Sequence, residues 1–321
     1  MSDQKLAIVI PAYKAEYFDQ TLASIAWQSD TRFTLYIGDD ASTEDLSSIV
    51  EKYNSRIDIV YRRFPENLGG KSLVRQWMRC VDLTHEEWIW VFGDDDIMPK
   101  DAVKSFYDFL HSDTRFDVVR FNLAVIDHQG EILYGATSHP GHESSAQFAS
   151  RVLDRSCRSS ASEFIFSRDV YLGTGGFVEF PLGWASDVAS WIRFGMEKGI
   201  YTIGNEPVRW RLSGNNLSSR QDDHVYLHKI DACIEFTGFL RQHFKLPEDV
   251  LFDWMFFHFS LLTKGRRKLN KKLMHIKFVG KVAASRPGSV PAMLRFYKNR
   301  KCTYFRKKLW SLRYDLPFGP Q

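Results

Sequence analysis

Leu6-Ala-Ile-Val-Ile10, closed by Pro11-Ala12-Tyr13, is the stretch from which the fold is read. Five consecutive apolar residues without polar alternation predict a strand covered on both faces, the condition of a strand inside a parallel sheet. A helix-period pattern over 17–28 follows. The alternation then repeats as strand 34–37, helix 44–53, strand 57–61, helix 71–83, strand 87–92 and helix 100–110. Four βα units in about 110 residues specify a doubly wound α/β sheet, whose ligands bind outside the carboxyl ends of the strands.

After Asp117-Val-Val-Arg-Phe-Asn122 the alternation stops, and 135–150, rich in Gly, Ser and His, is expected to be a surface loop. A short strand at Glu163-Phe-Ile-Phe166, a helix over 185–198 and extended chain over 201–212 come next. From 222 onward the pattern is helical. A boundary is placed at 218–222, dividing a catalytic domain over 1–220 from a helical, basic appendage over 221–321.

The net charge of +4 conceals an asymmetry. From Lys264 onward there are 17 Lys and Arg against one acid, Asp315, a net of +16; the preceding residues carry 26 bases against 38 acids, a net of −12. An acidic body with a basic tail points to a polyanionic surface as the tail's partner. The four cysteines, Cys80, Cys157, Cys233 and Cys302, are widely spaced with no CxxC pair, and suit a reducing compartment and bland core or surface roles. No apolar signal segment precedes the first strand, so a cytoplasmic location is expected. The apolar stretch 251–262 is interrupted by Asp253 and His258 and falls short of the roughly 20 residues of a spanning helix.

Acids gather at the strand ends. Gly38-Asp39-Asp40-Ala-Ser-Thr43 follows the second strand, where desolvated carboxylates need a partner such as a nucleobase imide or a ribose hydroxyl. The alternative is that Asp40 and Ser42 cap the next helix. Phe92-Gly93-Asp94-Asp95-Asp96 ends the fourth strand, and three consecutive carboxylates repel one another unless a cation sits among them. Oxygen donors without His or Cys suit Mg²⁺ or Mn²⁺, with substrate phosphates completing the shell.

The order Ile10-Pro11-Ala12-Tyr13, Asp39-Asp40, Asn67-Leu-Gly69 with Arg75, then Asp94-Asp95-Asp96 resembles a family 2 glycosyltransferase of the GT-A fold, bacterial surface-polysaccharide type, over roughly 5–215. The resemblance implies a mixed α/β sheet, a nucleotide-sugar donor, UDP-linked in the first instance, Mn²⁺ or Mg²⁺, and inversion at the anomeric carbon. It implies that Pro11, Ala12 and Tyr13 line the nucleoside pocket, that Asp40 bonds a uracil-like imide with Asp39 nearby, and that Gly69 and Arg75 flank the base. Asp94 is then expected on the ribose side and Asp96 on the metal, with Asp95 a further candidate ligand.

Asp187, after Pro181-Leu-Gly-Trp184-Ala-Ser186, starts a helix and by itself reads as a cap. The resemblance makes it the catalytic base, with Ser186 standing where the family usually has a first acid. Val208-Arg209-Trp210-Arg211 with Asn215, Asn216 and Ser218 resembles the segment that folds over the diphosphate, with Arg211 donating to phosphate oxygens and Gly214-Asn-Asn as a lid. Trp210 is read as core, and His139 and His142 as surface residues.

Two rivals are weighed. A nucleotidyltransferase uses similar acidic strand ends and would release pyrophosphate; a nonenzymatic polyanion-binding module would use the tail alone, and no nucleic-acid motif accompanies it. Aromatic residues Phe256, Phe257, Phe259, Phe296, Tyr297 and Trp310 interleave with Lys and Arg, which suits an anionic membrane surface engaged through 251–321. The expected location is therefore peripheral on the inner membrane face, near a glycan or lipid-linked acceptor. The alternative is a solvated basic helix packed on the acidic body, and oligomerisation is left open.

Overall fold

The computed structural model describes residues 5–214, 223–262, 268–285, 288, 290–291 and 293–295. Asn215, Asn216, Ser218, the boundary at 218–222, the basic run 264–267, Phe296, Tyr297, Cys302 and Trp310 lie outside the described residues. The chain forms two compact units, Met1–Arg220 and Gln221–Gln321.

In the first unit, β1 (Leu6–Ala12), β2 (Phe33–Asp39), β3 (Asp58–Arg63) and β4 (Trp88–Val91) lie parallel in the order β3-β2-β1-β4. Leu6 to Ile10 are fully buried, as a both-faces-covered strand requires. Pro11, which has no N–H to give, is tolerated because pairing with β4 ends at Val9 opposite Val91. The crossover helices are α1 (Phe18–Ala26), α2 (Ser47–Glu51) and α3 (Leu73–Val81), followed by α4 (Ala102–His111) after β4. Helix α1 buries Phe18, Leu22, Ile25 and Ala26, one apolar stripe at helical spacing.

Beyond β4 the sheet is mixed. β9 (Phe164–Ser167) runs antiparallel between β4 and β5 (Val118–Arg120), and β10 (Ile200–Thr202) and β8 (His142–Glu143) complete the eight strands. A second sheet joins β6 (Leu123–Ile126), β7 (Ile132–Thr137) and β11 (Val208–Arg211) in the order β11-β6-β7. Helices α5 (Ser145–Leu153), α6 (Arg168–Gly173) and α7 (Ser186–Phe194) complete this unit.

The segment 135–150 is therefore not a loop. It contains the end of β7, all of β8 and the start of α5, which opens with a capping box in which Ser144 accepts the Gln147 amide and Gln147 accepts the Ser144 amide. His139 is likewise buried rather than on the surface; its amide bonds Asn122 at 2.9 Å and its ring meets Arg151. Burial, with Arg120 and Arg151 beside it, pushes the imidazole down to about 3. His142 is exposed and Trp210 packs against the core, as read from sequence.

The second unit contains α8 (Asp223–His243), α9 (Glu248–Leu262) and α10 (Lys268–Ser285). Phe256 and Phe259, expected to face a membrane, are buried instead: Phe259 stacks on Phe278 of α10 at 4.8 Å and Phe252 meets the same ring. A helical unit of this size needs those rings for its core. Among the described side chains of α10, Leu273 and Ile276 are exposed apolar residues, with Lys277 exposed beside them.

Candidate active site

The parallel strands bring three segments to one edge. The Asp40 amide donates to Ala12 O at 2.9 Å, Ser42 Oγ donates to Tyr13 O, and the Tyr13 and Lys14 amides donate to Asp94 Oδ2 at 2.8 and 3.0 Å. The ends of β1, β2 and β4 are thus laced together by hydrogen bonds rather than merely adjacent. Tyr13 presents its ring to solvent, Pro11 is half-buried and Ala12 is buried.

Asp39 is fully buried and held by Tyr61 Oη, Arg63 Nη1 at 2.7 Å and the Ser42 amide at 2.7 Å. Its oxygens go to the turn and to β3, which makes it a fixture of the site wall. Asp40 accepts the amides of Leu68 and Gly69 at 2.7 and 2.8 Å and pairs with Arg79. A Cβ on Gly69 would lie 2.7 Å from Asp40 Oδ2, so only glycine lets the backbone come this close. The Arg79 guanidinium also lies 3.9 Å over the Phe64 ring and bonds Glu66 O.

Arg79 is a residue that the sequence reading missed. Arg75, expected beside the base, is exposed and faces Glu179, which also accepts from Ser72 Oγ at 2.6 Å. The arginine gathered with Asp40 sits one helical turn later, on the α3 face that carries Gln76, whose amide reaches Gly38 O. That i, i+3 relation was the available signal.

The acidic turn separates its three carboxylates. Asp94 and Asp95 remain half-exposed, whereas Asp96 is 1% exposed with both oxygens accepting, one from the Arg211 amide at 2.8 Å and the other from Ser162 Oγ. Burial raises all three. Asp95 is pushed up to about 8, with the charges of Asp96 and Asp94 adding to burial, and Asp96 to about 7. Asp96, expected on the metal, thus has both oxygens held by the chain, while its two neighbours are less deeply buried. Among the described residues no group of three or more His, Cys, Asp or Glu is arranged to hold a metal ion. The donor set still fits a hard divalent cation, because two raised, mutually repelling carboxylates gain from one, and Mg²⁺ or Mn²⁺ takes its remaining oxygens from phosphate and water.

Arg211 is fully buried, and its guanidinium donates to Asp95 O at 2.8 Å, Asp127 O at 3.0 Å, His128 O at 3.3 Å and Gln20 Oε1 at 2.8 Å, over the Tyr17 ring. The guanidinium expected on a diphosphate is here held by four groups of the chain. Arg211 locks β11 to the acidic turn.

Asp187 lies in the first turn of α7, half-buried, and burial pushes its carboxyl up to about 6 against the opposing pull of its own amide and that of Val188. The chain enters this helix through Leu182 and Ala185, both left-handed at φ 61° and 60°, conformations that cost non-glycine residues about 1–2 kcal/mol each. Such strain persists only where surrounding structure imposes it. Here the fully buried Ser186 accepts the Phe180 amide at 2.9 Å, and Ser190 ties the Val178 amide to Ser186 O. Serine in place of the usual acid therefore has an inward, holding role.

A mixed α/β sheet with acidic strand ends, an antiparallel insert and a carboxylate opening the helix beyond it fits the GT-A fold. Residues 7–143 match the model of Glycosyl transferase family 2. It is 30% identical over 112 residues to the abequosyltransferase RfbV of Salmonella typhimurium, covering 33% of each chain. It is 30% identical over 115 residues to the poly(ribitol-phosphate) β-N-acetylglucosaminyltransferase TarS of Staphylococcus aureus, covering 34% of this chain and 20% of the relative. The matched segment thus spans a third or less of these curated relatives. In structure, TarS 1–349 in complex with UDP-GlcNAc superposes with TM-score 0.67 at 16% identity, over 88% of this chain and 81% of that one. The mannosyltransferase PcManGT of Pyrobaculum calidifontis, in complex with GDP-Man and Mn²⁺, gives 0.51 at 14% identity over 96% and 83%. At these identities the likeness shows the fold.

Proposed function

We propose that the protein moves a sugar from a nucleoside-diphosphate sugar, UDP-linked in the first instance, to a hydroxyl of a glycan or lipid-linked glycan acceptor, with inversion, in surface-polysaccharide synthesis. The observation that carries this is the division of carboxylates at one sheet edge. Asp94 and Asp95 stay half-exposed beside Tyr13, while Asp187, at the start of a helix beyond the insert, is pushed up to about 6. Tyr13 offers a ring for the nucleobase, and Asp40, ordered by Leu68, Gly69 and Arg79, forms the base-side wall. Asp94 and Asp95 would hold Mn²⁺ or Mg²⁺, which when bound neutralises charge on the leaving diphosphate.

Inversion requires the acceptor hydroxyl to approach the anomeric carbon opposite the diphosphate. Asp187, ionised above about 6, takes the hydroxyl proton as the new glycosidic bond forms and the bond to the diphosphate oxygen breaks. The test is a panel of nucleotide sugars with Mn²⁺ or Mg²⁺, read for released nucleoside diphosphate. Asp187→Asn is expected to lower turnover about 10²–10⁴-fold with donor affinity nearly unchanged. Release of pyrophosphate instead would establish the nucleotidyltransferase reading.

The second unit supports a membrane-surface role. No helix among the described residues is long and apolar enough to cross a membrane. The exposed Leu273, Ile276 and Lys277 of α10, with the basic sequence from Lys264 onward, suit an anionic surface at about 1 kcal/mol per basic residue. Cosedimentation with anionic but not neutral vesicles, reversed by salt, is the expected result.

A further inference from the structure

Just before β9 the chain makes a buried turn that touches both halves of the site. Ser162 is 2% exposed; its Oγ donates to Asp96 and accepts the Gly93 amide at 3.0 Å, and its carbonyl accepts the Trp90 indole N–H at 2.7 Å. A Cβ at Gly93 would stand 2.7 Å from Asp96 Oδ2, so this glycine is what allows Asp96 to fold back toward Ser162. Ser160 donates its amide to both oxygens of the fully buried Glu163, at 2.8 and 3.0 Å, and accepts the Ser162 amide on its hydroxyl at 3.2 Å. The Ser160 carbonyl in turn accepts the Trp191 indole N–H at 3.2 Å. Trp191 lies one turn after Asp187 on α7 and is fixed by stacking on Phe164 at 4.8 Å.

The hydrogen bonds therefore run without interruption from α7 through Ser160 and Ser162 to Asp96. We infer that this turn is a strut that sets the placement of the acidic turn relative to the Asp187 helix, with Ser162 and Trp191 as positioning residues at its two ends. The inference rests on the transferase reading, in which those two segments hold the donor and activate the acceptor. A reaction in which donor and base must stand on opposite sides of one carbon is sensitive to displacements of about 1 Å, at roughly 10²-fold in rate. Buried, mutually bonded groups resist such displacement better than the partly buried carboxylates could alone.

Ser162→Ala removes the hydroxyl, and Trp191→Phe removes only the indole N–H while keeping an aromatic ring for the stack. In the full chain with Mn²⁺ and the donor found by the panel, each is expected to lower kcat about 10–100-fold, with donor KM within about threefold of the parent. The double variant is expected to be no worse than the more damaging single, because both interrupt one connection. Folded variants with unchanged kcat, or losses that multiply in the double variant, overturn the inference.

If no nucleotide sugar is turned over by the parent protein, the transferase reading fails, and the strut is judged by amide exchange read by mass spectrometry. Ser162→Ala should then speed exchange in both 93–97 and 185–191; a change confined to 93–97 overturns it. Should Ser162→Ala not fold, Trp191→Phe is read the same way, with 93–97 as the distant reporter and no change there counting against the strut.

Discussion

Replacing Arg211 by lysine separates two uses of one guanidinium. The side chain is fully buried and donates to three backbone carbonyls, of Asp95, Asp127 and His128, and to Gln20. A lysine ammonium is a compact point donor that cannot span all four, so at least two acceptors lose their partner. At about 1–3 kcal/mol for each buried polar group left unsatisfied, the loss is about 2–5 kcal/mol. For a domain of this size each kcal/mol moves the midpoint by about 2–4 °C, giving a fall of roughly 5–15 °C. Thermal denaturation followed by near-UV circular dichroism, beside calorimetric titration with a nucleoside diphosphate and Mn²⁺, reads both quantities. A variant whose midpoint is unchanged but whose nucleotide affinity drops tenfold or more would place the guanidinium on the diphosphate and refute the locking role.

Asp187 must be ionised to take a proton, so kcat/KM should rise with pH through a midpoint of about 6 and flatten above it; a midpoint near 4 would mean that burial does not act on this carboxyl. Arg79→Met leaves Asp40 buried with only two amides and should destabilise the unit by about 3 kcal/mol in urea, whereas Arg75→Ala, whose pair with Glu179 is exposed, should have little effect. Equal effects would contradict the assignment of Arg79. Ser186→Glu, which restores the acid usual in the family, should reduce the yield of folded protein, since the carboxylate would enter a fully buried site at a cost of several kcal/mol; a well-folded variant counts against the holding role of Ser186.

The parallel half of the sheet was legible because β1 and β4 are apolar runs and α1, α3 and α4 each bury an apolar stripe at helical spacing. The segment 135–150 was not, since β7 is largely exposed and its residues carry no burial signal. The capping box at Ser144 and Gln147 was legible in principle and marks where the next helix begins. Candidate residues on strand ends could be picked out from the carboxylates themselves. Which carboxylate turns inward could not, because the partners of Asp96 are 66 and 115 positions away. The same holds for Arg211, whose type suits a phosphate and whose guanidinium partners are distant in sequence.

The antiparallel course of β9 has a consequence for the order of synthesis. Acids 39, 40 and 94–96 all lie within residues 7–143, the stretch that carries the family match. Ser162 and Arg211, which between them close on Asp96, emerge from the ribosome later. A nascent chain that already contains the first four βα units therefore has its acidic turn without either clasp, with three like charges adjacent. The clasp on Asp96 is completed only when residue 211 has been made, so the strands can pair early while the acidic turn stays unclasped until the last strand of the unit arrives.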